Sequence, residues 1–416
     1  MISFRRPLPQ IHTAARLLPA ILVSSLIINS VAVAGEWQPT RPEISETDEP
    51  STGAALLQSL YVEHVLESDV TETEIVPVSA VAVDPLQTLV EDAINVTSRR
   101  MLTADVNTPW QIAHGVLALR DQYYLKTTDG KTVKALDWIS SGPTFAGKPW
   151  FVTTTFGGKG QPFTEPYHFE GHPNQFLALF TLARLPREFE FTAAENGRKF
   201  TIADWIHNAK MECNDHEEMT WTLWSLAFYI EPDAEWYNKD GEQWSMERLI
   251  RKQMQTPVTK AACGGNHGLF AIACARNAYL QAGNPLRGVW LEGHMYLQKY
   301  IQIARQWQNS DGSFSSQWYK SSEHSDDIAR RLSTTGHCLE FLMVVLPQSE
   351  INQPWIRNAV NRIGRDLVDN QAEPIGGKGV GGMYHALNAL TIYRDRMGWN
   401  KKPEVMATGE TETEIR

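Results

Sequence analysis

Six copies of one short phrase, each opening an apolar helical run, constrain the fold of this chain more than any other feature. Four copies begin with histidine and two do not: His114-Gly-Val-Leu-Ala-Leu, His267-Gly-Leu-Phe-Ala-Ile, His337-Cys-Leu-Glu-Phe-Leu, His385-Ala-Leu-Asn-Ala-Leu, Gln175-Phe-Leu-Ala-Leu-Phe and Trp221-Thr-Leu-Trp-Ser-Leu. A recurring unit indicates a repeat architecture in which equivalent positions lie at equivalent heights. The sequence therefore predicts that the four histidines gather at one end of the molecule.

A second phrase alternates with the first and contains a tight turn followed by a helix. Its turns are Asp129-Gly, Asn196-Gly and Asp240-Gly, where glycine accepts a positive φ. Inner helices are predicted at 109–125, 173–186, 217–230, 266–282, 333–347 and 381–397. Outer helices are predicted at 130–142, 199–212, 243–256, 287–308 and 352–370, with 86–104 as the candidate for the sixth. We expect an all-α fold of six inner and about six outer helices.

This alternation resembles the six-hairpin (α/α)6 toroids, a group that includes terpenoid cyclases, protein prenyltransferases and several polysaccharide lyases. Tyr300-Ile301 followed by Gln308-Asn-Ser-Asp-Gly-Ser-Phe314 is similar to the glutamine-tryptophan repeat of the terpenoid cyclases, with phenylalanine in place of tryptophan. The resemblance implies a toroid over residues 101–399. The Asp-x-Asp-Asp acid of the cyclases has no full counterpart, since Ser325-Asp326-Asp327 lacks the leading aspartate.

The ends of the chain differ from its body. Residues 1–34 have the arginines, the apolar stretch and the Ala32-Val33-Ala34 site of a signal peptide, which predicts export to the periplasm or the outside. An uncleaved membrane anchor is the alternative. Residues 35–100 hold 13 acidic residues against three arginines and are predicted to be an acidic, disordered linker with a short helix near 86–100. Residues 400–416 are predicted to form a flexible tail.

The body of the chain, between the linker and the tail, has a net charge close to zero. It therefore does not favour nucleic-acid binding, which requires a basic surface. Membrane contact is expected only transiently, through the signal segment, and the oligomeric state is open. The four cysteines form no C-x-x-C pair, which disfavours a zinc finger. A Cys213–Cys263 disulfide and four free thiols both remain possible readings of the cysteine pattern.

The loops that precede the inner helices are rich in polar residues, which indicates a site at that end. Three explanations of the histidines remain open: packing, acid–base catalysis and metal binding. No cofactor is predicted by a motif. Zinc is the alternative, with Cys213, His216 and His267 as candidate ligands.

A polysaccharide or other small ligand is the expected substrate, for a lyase or a glycoside hydrolase. Gly265-Asn266-His267-Gly268 is similar to the Asn-Asn-His-Gly stretch of toroidal lyases, which implies that Asn266 binds a uronate carboxylate. The candidate catalytic residues are His267, Tyr384, His385, His172, Asp215 and Glu170. The candidate substrate-binding residues are Asn266, Asn174, His114 and His337. The competing hypotheses are a non-catalytic toroid that binds a ligand or an envelope partner, and a metal-dependent or terpenoid cyclase-like enzyme.

Overall fold

The computed structural model describes residues 83–162, 165–372, 376–377 and 379–400. The expected signal peptide, the expected linker up to residue 82 and the tail beyond residue 400 lie outside the described residues. Among the helices that are described, none has both the length and the apolar character needed to cross a membrane.

Within the described residues the chain forms twelve α-helices, which alternate between an inner and an outer position. The inner helices are α2 (Pro109–Leu119), α4 (Gln175–Phe180), α6 (Thr220–Tyr229), α8 (Asn266–Gln281), α10 (Ile328–Val345) and α12 (Gly379–Arg396). The outer helices are α1 (Pro85–Ser98), α3 (Ala135–Ser140), α5 (Ile202–Met211), α7 (Met246–Gln255), α9 (Gly288–Gln306) and α11 (Pro354–Asp369).

The contacts between the inner helices run in a closed series. Each inner helix packs against the next, and α12 packs back against α2, while α1 packs against α11 and α12. Inner helices are apolar on most sides because they are covered on most sides; in α2 every residue except Leu119 is buried. Side-chain caps begin several helices, including Thr201 at α5 and Ser245 at α7.

The predicted all-α class is wrong, because the described chain also contains five two-stranded antiparallel sheets. The strands are β1 (Tyr124–Lys126), β2 (Thr132–Lys134), β3 (Thr144–Phe145), β4 (Lys148–Pro149), β5 (Phe151–Thr154), β6 (Gly157–Gly160), β7 (Glu190–Ala193), β8 (Arg198–Thr201), β9 (Glu235–Tyr237) and β10 (Gln243–Ser245). Each strand pairs with its neighbour in sequence, so every sheet is a hairpin.

The hairpins also shorten several helices relative to the predictions. The Asp129-Gly, Asn196-Gly and Asp240-Gly turns connect β1 to β2, β7 to β8 and β9 to β10, and the outer helices begin only after the second strand. Strands of two to four residues are too short to produce a recognisable alternation of apolar and polar positions. Sequence periodicity therefore assigned their residues to helices or loops.

Two glycines bring α10 and α12 into close contact. A Cβ atom at Gly336 would lie 2.7 Å from the backbone of Ala386, and one at Gly382 would lie 3.0 Å from the Cα of Ser333. Any other residue at these positions would push the two helices apart. The glycines therefore set the separation of His337 and His385, which each follow close by in the sequence.

A buried ion pair joins α10 to the outer helix α11. Arg331 donates from Nε and Nη2 to the two carboxylate oxygens of Asp366, at 3.0 and 2.7 Å. The Asp366 side chain is fully buried, and Arg362 also bonds its carboxylate. Such a pair orients the two helices, and either partner alone would be a buried charge.

We predict that Asp366→Ala lowers the free energy of unfolding by about 3–5 kcal/mol, because it leaves the Arg331 guanidinium uncompensated in the interior. Urea denaturation monitored by circular dichroism measures the change. Glu190→Ala is the matched control, since it breaks an exposed pair with Lys199 and should cost less than about 1 kcal/mol. Equal losses in the two variants would show that the buried pair has no special role.

Candidate functional site

A cavity of about 860 Å³ lies where five of the six inner helices converge. We call it the histidine cavity, because it is lined by His114 of α2, His267 of α8, His337 of α10 and His385 of α12. Its volume lies within the range of ligand pockets, about 300–1,000 Å³. The structure thus brings together the histidines of the four repeated phrases.

The four imidazoles are packed against one another. The ring centroids of His337 and His385 are 3.8 Å apart, and those of His267 and His337 are 4.9 Å apart. The His385 centroid lies 5.1 Å from that of His267 and 5.3 Å from that of His114. Adjacent protonated rings at these separations would repel one another strongly.

Hydrogen bonds fix the orientation of three of these rings. His114 Nδ1 lies 2.6 Å from the Trp110 carbonyl oxygen, and His337 Nδ1 lies 2.6 Å from that of Ser333. Because a carbonyl oxygen only accepts, Nδ1 carries the proton in both rings. Each Nε2 is then left with a lone pair for an external donor or a metal ion.

His385 is held by a buried network instead of a carbonyl group. Its Nδ1 lies 2.8 Å from Glu340 Oε2, and Glu340 Oε1 accepts from Asn388 Nδ2 at 2.6 Å. Asn388 Oδ1 accepts in turn from Arg120 at 3.2 Å. Burial raises the pKa of Glu340 to about 7. This network fixes the ring of His385 within the cavity wall.

Burial also keeps the four imidazoles neutral. It lowers the pKa of His337 and of His385 to about 3, and it holds the pKa values of His114 and His267 well below the usual 6.5. The neighbouring imidazoles act in the same direction for His114, His267 and His337. Neutral imidazole is the form that binds metal ions.

Two of the four rings have a buried nitrogen with no partner among the described residues, namely Nε2 of His267 and Nε2 of His385. Buried polar atoms are usually satisfied, and exceptions concentrate at functional sites.

One metal-compatible group is also present in the described chain: donor atoms of Cys263, His267 and His337 lie within 4.8 Å of one another.

The other zinc candidates lie elsewhere. Cys213 is buried and its thiol donates to the Ala209 carbonyl oxygen at 3.3 Å, while His216 is exposed. Neither lines the histidine cavity. All four cysteines are free thiols, so no Cys213–Cys263 disulfide forms.

The residues suggested by the lyase resemblance are engaged within the protein. Asn266 Oδ1 accepts from the Tyr319 hydroxyl at 2.6 Å, and Asn266 Nδ2 donates to the Cys263 carbonyl oxygen at 3.0 Å. Tyr384 is fully buried, with its hydroxyl 3.5 Å from that of Tyr123. Burial raises the pKa of Tyr384 to about 12. Neither side chain lines the histidine cavity.

A second cavity of about 440 Å³, the polar cavity, adjoins the first and shares Gly171 and His172 with it. His172 Nδ1 lies 2.6 Å from Glu218 Oε2, and Asn174 Nδ2 donates to Thr222 at 2.9 Å. Asp215 lines neither cavity; it is exposed and forms an ion pair with Arg248 at 2.7 Å.

Glu170 is the buried acid of the polar cavity. Its Oε1 accepts from the Phe176 amide at 2.8 Å, and among the described residues no side-chain bond engages its second oxygen. A Cβ atom at Gly160 would lie 2.5 Å from the Glu170 carboxyl carbon, so this glycine makes room for the acid. Burial raises the pKa of Glu170 to about 8, and the carboxyl is therefore protonated at neutral pH.

Sequence reasoning overlooked several residues that line or support the site. The cysteine pattern indicates Cys263 only as a disulfide partner or a free thiol, although it lies four residues before His267 and next to the Gly264-Gly265 pair. Glu340 was visible as a single acid within an apolar inner helix, which is a signal of a buried polar network. The sequence around Trp110 and Trp318 has no feature that distinguishes these residues from tryptophans that only pack in the core.

We predict that Glu170→Gln changes how stability depends on pH. The folded-state pKa of about 8 exceeds the ordinary 4.5, so the contribution of Glu170 is fully present below about pH 4.5 and is lost as pH rises through 8. Each pH unit between these values costs the wild type up to about 1.4 kcal/mol, a cost that glutamine avoids. Urea denaturation at pH 5, 7 and 9 measures this difference.

Glu231→Gln is the control for that measurement, because Glu231 is exposed. The Glu170→Gln variant should gain stability relative to wild type as pH rises, whereas Glu231→Gln should follow the wild-type curve. Parallel curves for Glu170→Gln and wild type would mean that Glu170 ionises normally.

Compared with family models, curated proteins and solved structures, the chain has no match. Its function is therefore inferred from the cavities themselves.

Proposed function

We propose that this protein is an enzyme that hydrolyses carbohydrate, binding sugar in the histidine cavity and using Glu170 as the proton donor. The observation that carries the proposal is the junction of the two cavities at Gly171 and His172, which places a buried acid beside an aromatic-walled binding space. The predicted export segment agrees with a polysaccharide substrate outside the cytoplasm.

The walls of the histidine cavity suit a sugar ring. Trp110, Tyr167 and Trp318 line it, and the Trp110 and Tyr167 rings meet edge to face with centroids 5.0 Å apart. Aromatic faces offer apolar area to the C–H faces of a sugar, while the rim of the ring remains open to hydrogen bonding. Tyr167 is 43% exposed, so part of this platform is accessible.

The histidines supply the complementary hydrogen-bond acceptors. With Nδ1 of His114 engaged by the Trp110 carbonyl, its Nε2 accepts a hydrogen bond, and Nε2 of His385 has no partner among the described residues. Sugar hydroxyls are donors that satisfy such nitrogens. Asp327 and Arg330 are the charged residues that line this cavity. Opposite charges in equal number favour an uncharged sugar over a polyanion.

Glu170 has the properties of a general acid. A proton donor acts best when its pKa lies near the working pH, which burial achieves for this carboxyl. Glu212 lines the same cavity, ion-paired to Lys159 at 2.6 Å, and its charge contributes to raising the pKa of Glu170. Glycoside hydrolysis requires a proton donor and a second carboxylate at one site. We therefore assign Glu212 as the second carboxylate.

Hydrolysis is favoured over elimination by the engagement of the lyase candidates. Asn266 accepts from Tyr319 and donates to Cys263, and it does not line the histidine cavity, so it is not presented to a uronate carboxylate there. Tyr384 is buried beside Tyr123 and away from the cavity lining.

We predict that the purified chain releases new reducing ends from at least one neutral polysaccharide in a panel that also contains uronate polymers. Glu170→Gln should reduce kcat by about 10²–10⁴-fold, the usual contribution of a general acid. Glu231→Gln is the control and should retain activity, because its side chain is exposed.

Three outcomes would contradict the proposal in different ways. An unsaturated, ultraviolet-absorbing product from a uronate polymer would show that the reaction is elimination. Saturable binding of an oligosaccharide without turnover would identify a binding protein. No reaction and no binding across the panel would exclude carbohydrate as the substrate class.

A further inference from the structure

The turn that precedes α8 has an unusual backbone. Cys263, Gly264 and Gly265 have φ values of 49°, 62° and 77°, so three consecutive residues are left-handed. A non-glycine residue such as cysteine adopts this conformation only at an energetic cost. A Cβ atom at Gly264 would lie 2.3 Å from the Trp318 ring, so the turn is also tightly packed. The fold therefore maintains a strained position for the Cys263 thiol.

Asn266 and Tyr319 hold this turn in place. Asn266 donates to the Cys263 carbonyl oxygen at 3.0 Å, and its own oxygen accepts from the Tyr319 hydroxyl at 2.6 Å. Both side chains are buried. The cysteine is consequently positioned by two neighbours that do not themselves line the histidine cavity.

The thiol is directed to the same place as two imidazoles. Donor atoms of Cys263, His267 and His337 lie within 4.8 Å of one another. For His337 the available atom is Nε2, since Nδ1 bonds the Ser333 carbonyl, and Nε2 of His267 has no partner among the described residues. A tetrahedral zinc ion would set such atoms about 3.5 Å apart. Binding of the ion would draw the three donor atoms to that separation.

We propose that Cys263, His267 and His337 bind a zinc ion in the wall of the histidine cavity. This site accounts for the strained turn and the unpartnered nitrogen of His267. It also explains why His337 donates its Nδ1–H to the Ser333 carbonyl, because metal-binding histidines typically donate their other ring N–H to such a group. One thiolate and two imidazoles favour zinc over magnesium or calcium, which prefer oxygen ligands.

Zinc binding at this site releases one proton. Burial raises the pKa of the Cys263 thiol to about 12, so the sulfur is protonated without metal. Formation of the sulfur–zinc bond displaces that proton to solvent, whereas the neutral imidazoles bind through existing lone pairs. The resulting centre carries one net positive charge.

Three protein ligands leave a fourth position at a tetrahedral ion. Catalytic zinc sites keep this position for water or substrate, whereas structural sites fill it with a fourth side chain. His385 flanks the proposed site, with its ring 3.8 Å from that of His337 and its Nε2 unpartnered. It is placed to accept a hydrogen bond from a group at the fourth position. The site stands on these contacts and does not depend on the substrate being a carbohydrate.

The test is metal binding by the full chain. After dialysis against a chelator, zinc is titrated in competition with a chromogenic chelator, and bound metal is counted by elemental analysis. We expect one zinc per chain. Cobalt in place of zinc should produce a thiolate-to-metal charge-transfer band in the near ultraviolet. Magnesium should neither bind nor compete.

Variants locate the site. Cys263→Ser should remove the charge-transfer band, and Cys263→Ser, His267→Ala and His337→Ala should each raise the zinc Kd at least about 100-fold. Cys213→Ser and His216→Ala are matched controls outside the site and should bind like wild type. Circular dichroism and thermal melting check that each variant folds. If a histidine variant does not fold, the result for Cys263→Ser decides the test.

The proposal is overturned if the folded wild-type chain binds no stoichiometric zinc, or if Cys263→Ser retains wild-type affinity and the cobalt band. Zinc binding with no carbohydrate hydrolysis would leave this site intact and remove only the proposed function. Hydrolysis by a folded chain that binds no stoichiometric zinc would do the reverse.

Discussion

The close packing of α10 against α12 is the constraint on which the site depends. Gly336 and Gly382 permit that approach, since a Cβ atom at either position would meet the facing backbone at 2.7 or 3.0 Å. His337 and His385 follow these glycines closely in the sequence, and their rings consequently lie 3.8 Å apart. Larger residues at these two positions would push the helices apart and so move the His337 and His385 rings away from each other. The geometry of the cavity wall is therefore decided by backbone proximity before any side-chain chemistry.

Protonation of one imidazole in this cluster is opposed by both burial and its neighbours. The pKa values near 3 for His337 and His385 follow mainly from removal of the rings from water. With Nδ1 of His114 and His337 bound to carbonyl oxygens, the proton of each neutral ring has a fixed location. A set of neutral, orientationally fixed imidazoles offers lone pairs to its surroundings. That arrangement suits ligand hydroxyls and metal ions better than it suits anions.

The sequence predicted the positions of the inner helices and the gathering of four histidines well, because both follow from a repeated apolar pattern. It did not predict the hairpins, since strands of two to four residues lack a measurable period. It also missed Cys263 as a partner of His267. Their proximity to His337 depends on a left-handed turn and on contacts across helices, which local sequence patterns do not encode. Glu170 was named as a candidate, but its protonation depends on a burial that only the folded chain produces.

If Glu170 donates the proton and Cys263 binds zinc, these two groups have opposite electrostatic requirements, and they line different cavities. Glu170 must remain neutral to serve as an acid, and it lies in the polar cavity, where Gly160 admits it and the Phe176 amide holds it. A zinc ion at Cys263 would add positive charge and, if it were near that carboxyl, would favour ionisation and abolish the donor. The shared wall at His172 keeps the acid and the proposed metal ligands in adjoining cavities. The proton donor and the proposed metal ligands would therefore meet different parts of a substrate that spans both cavities.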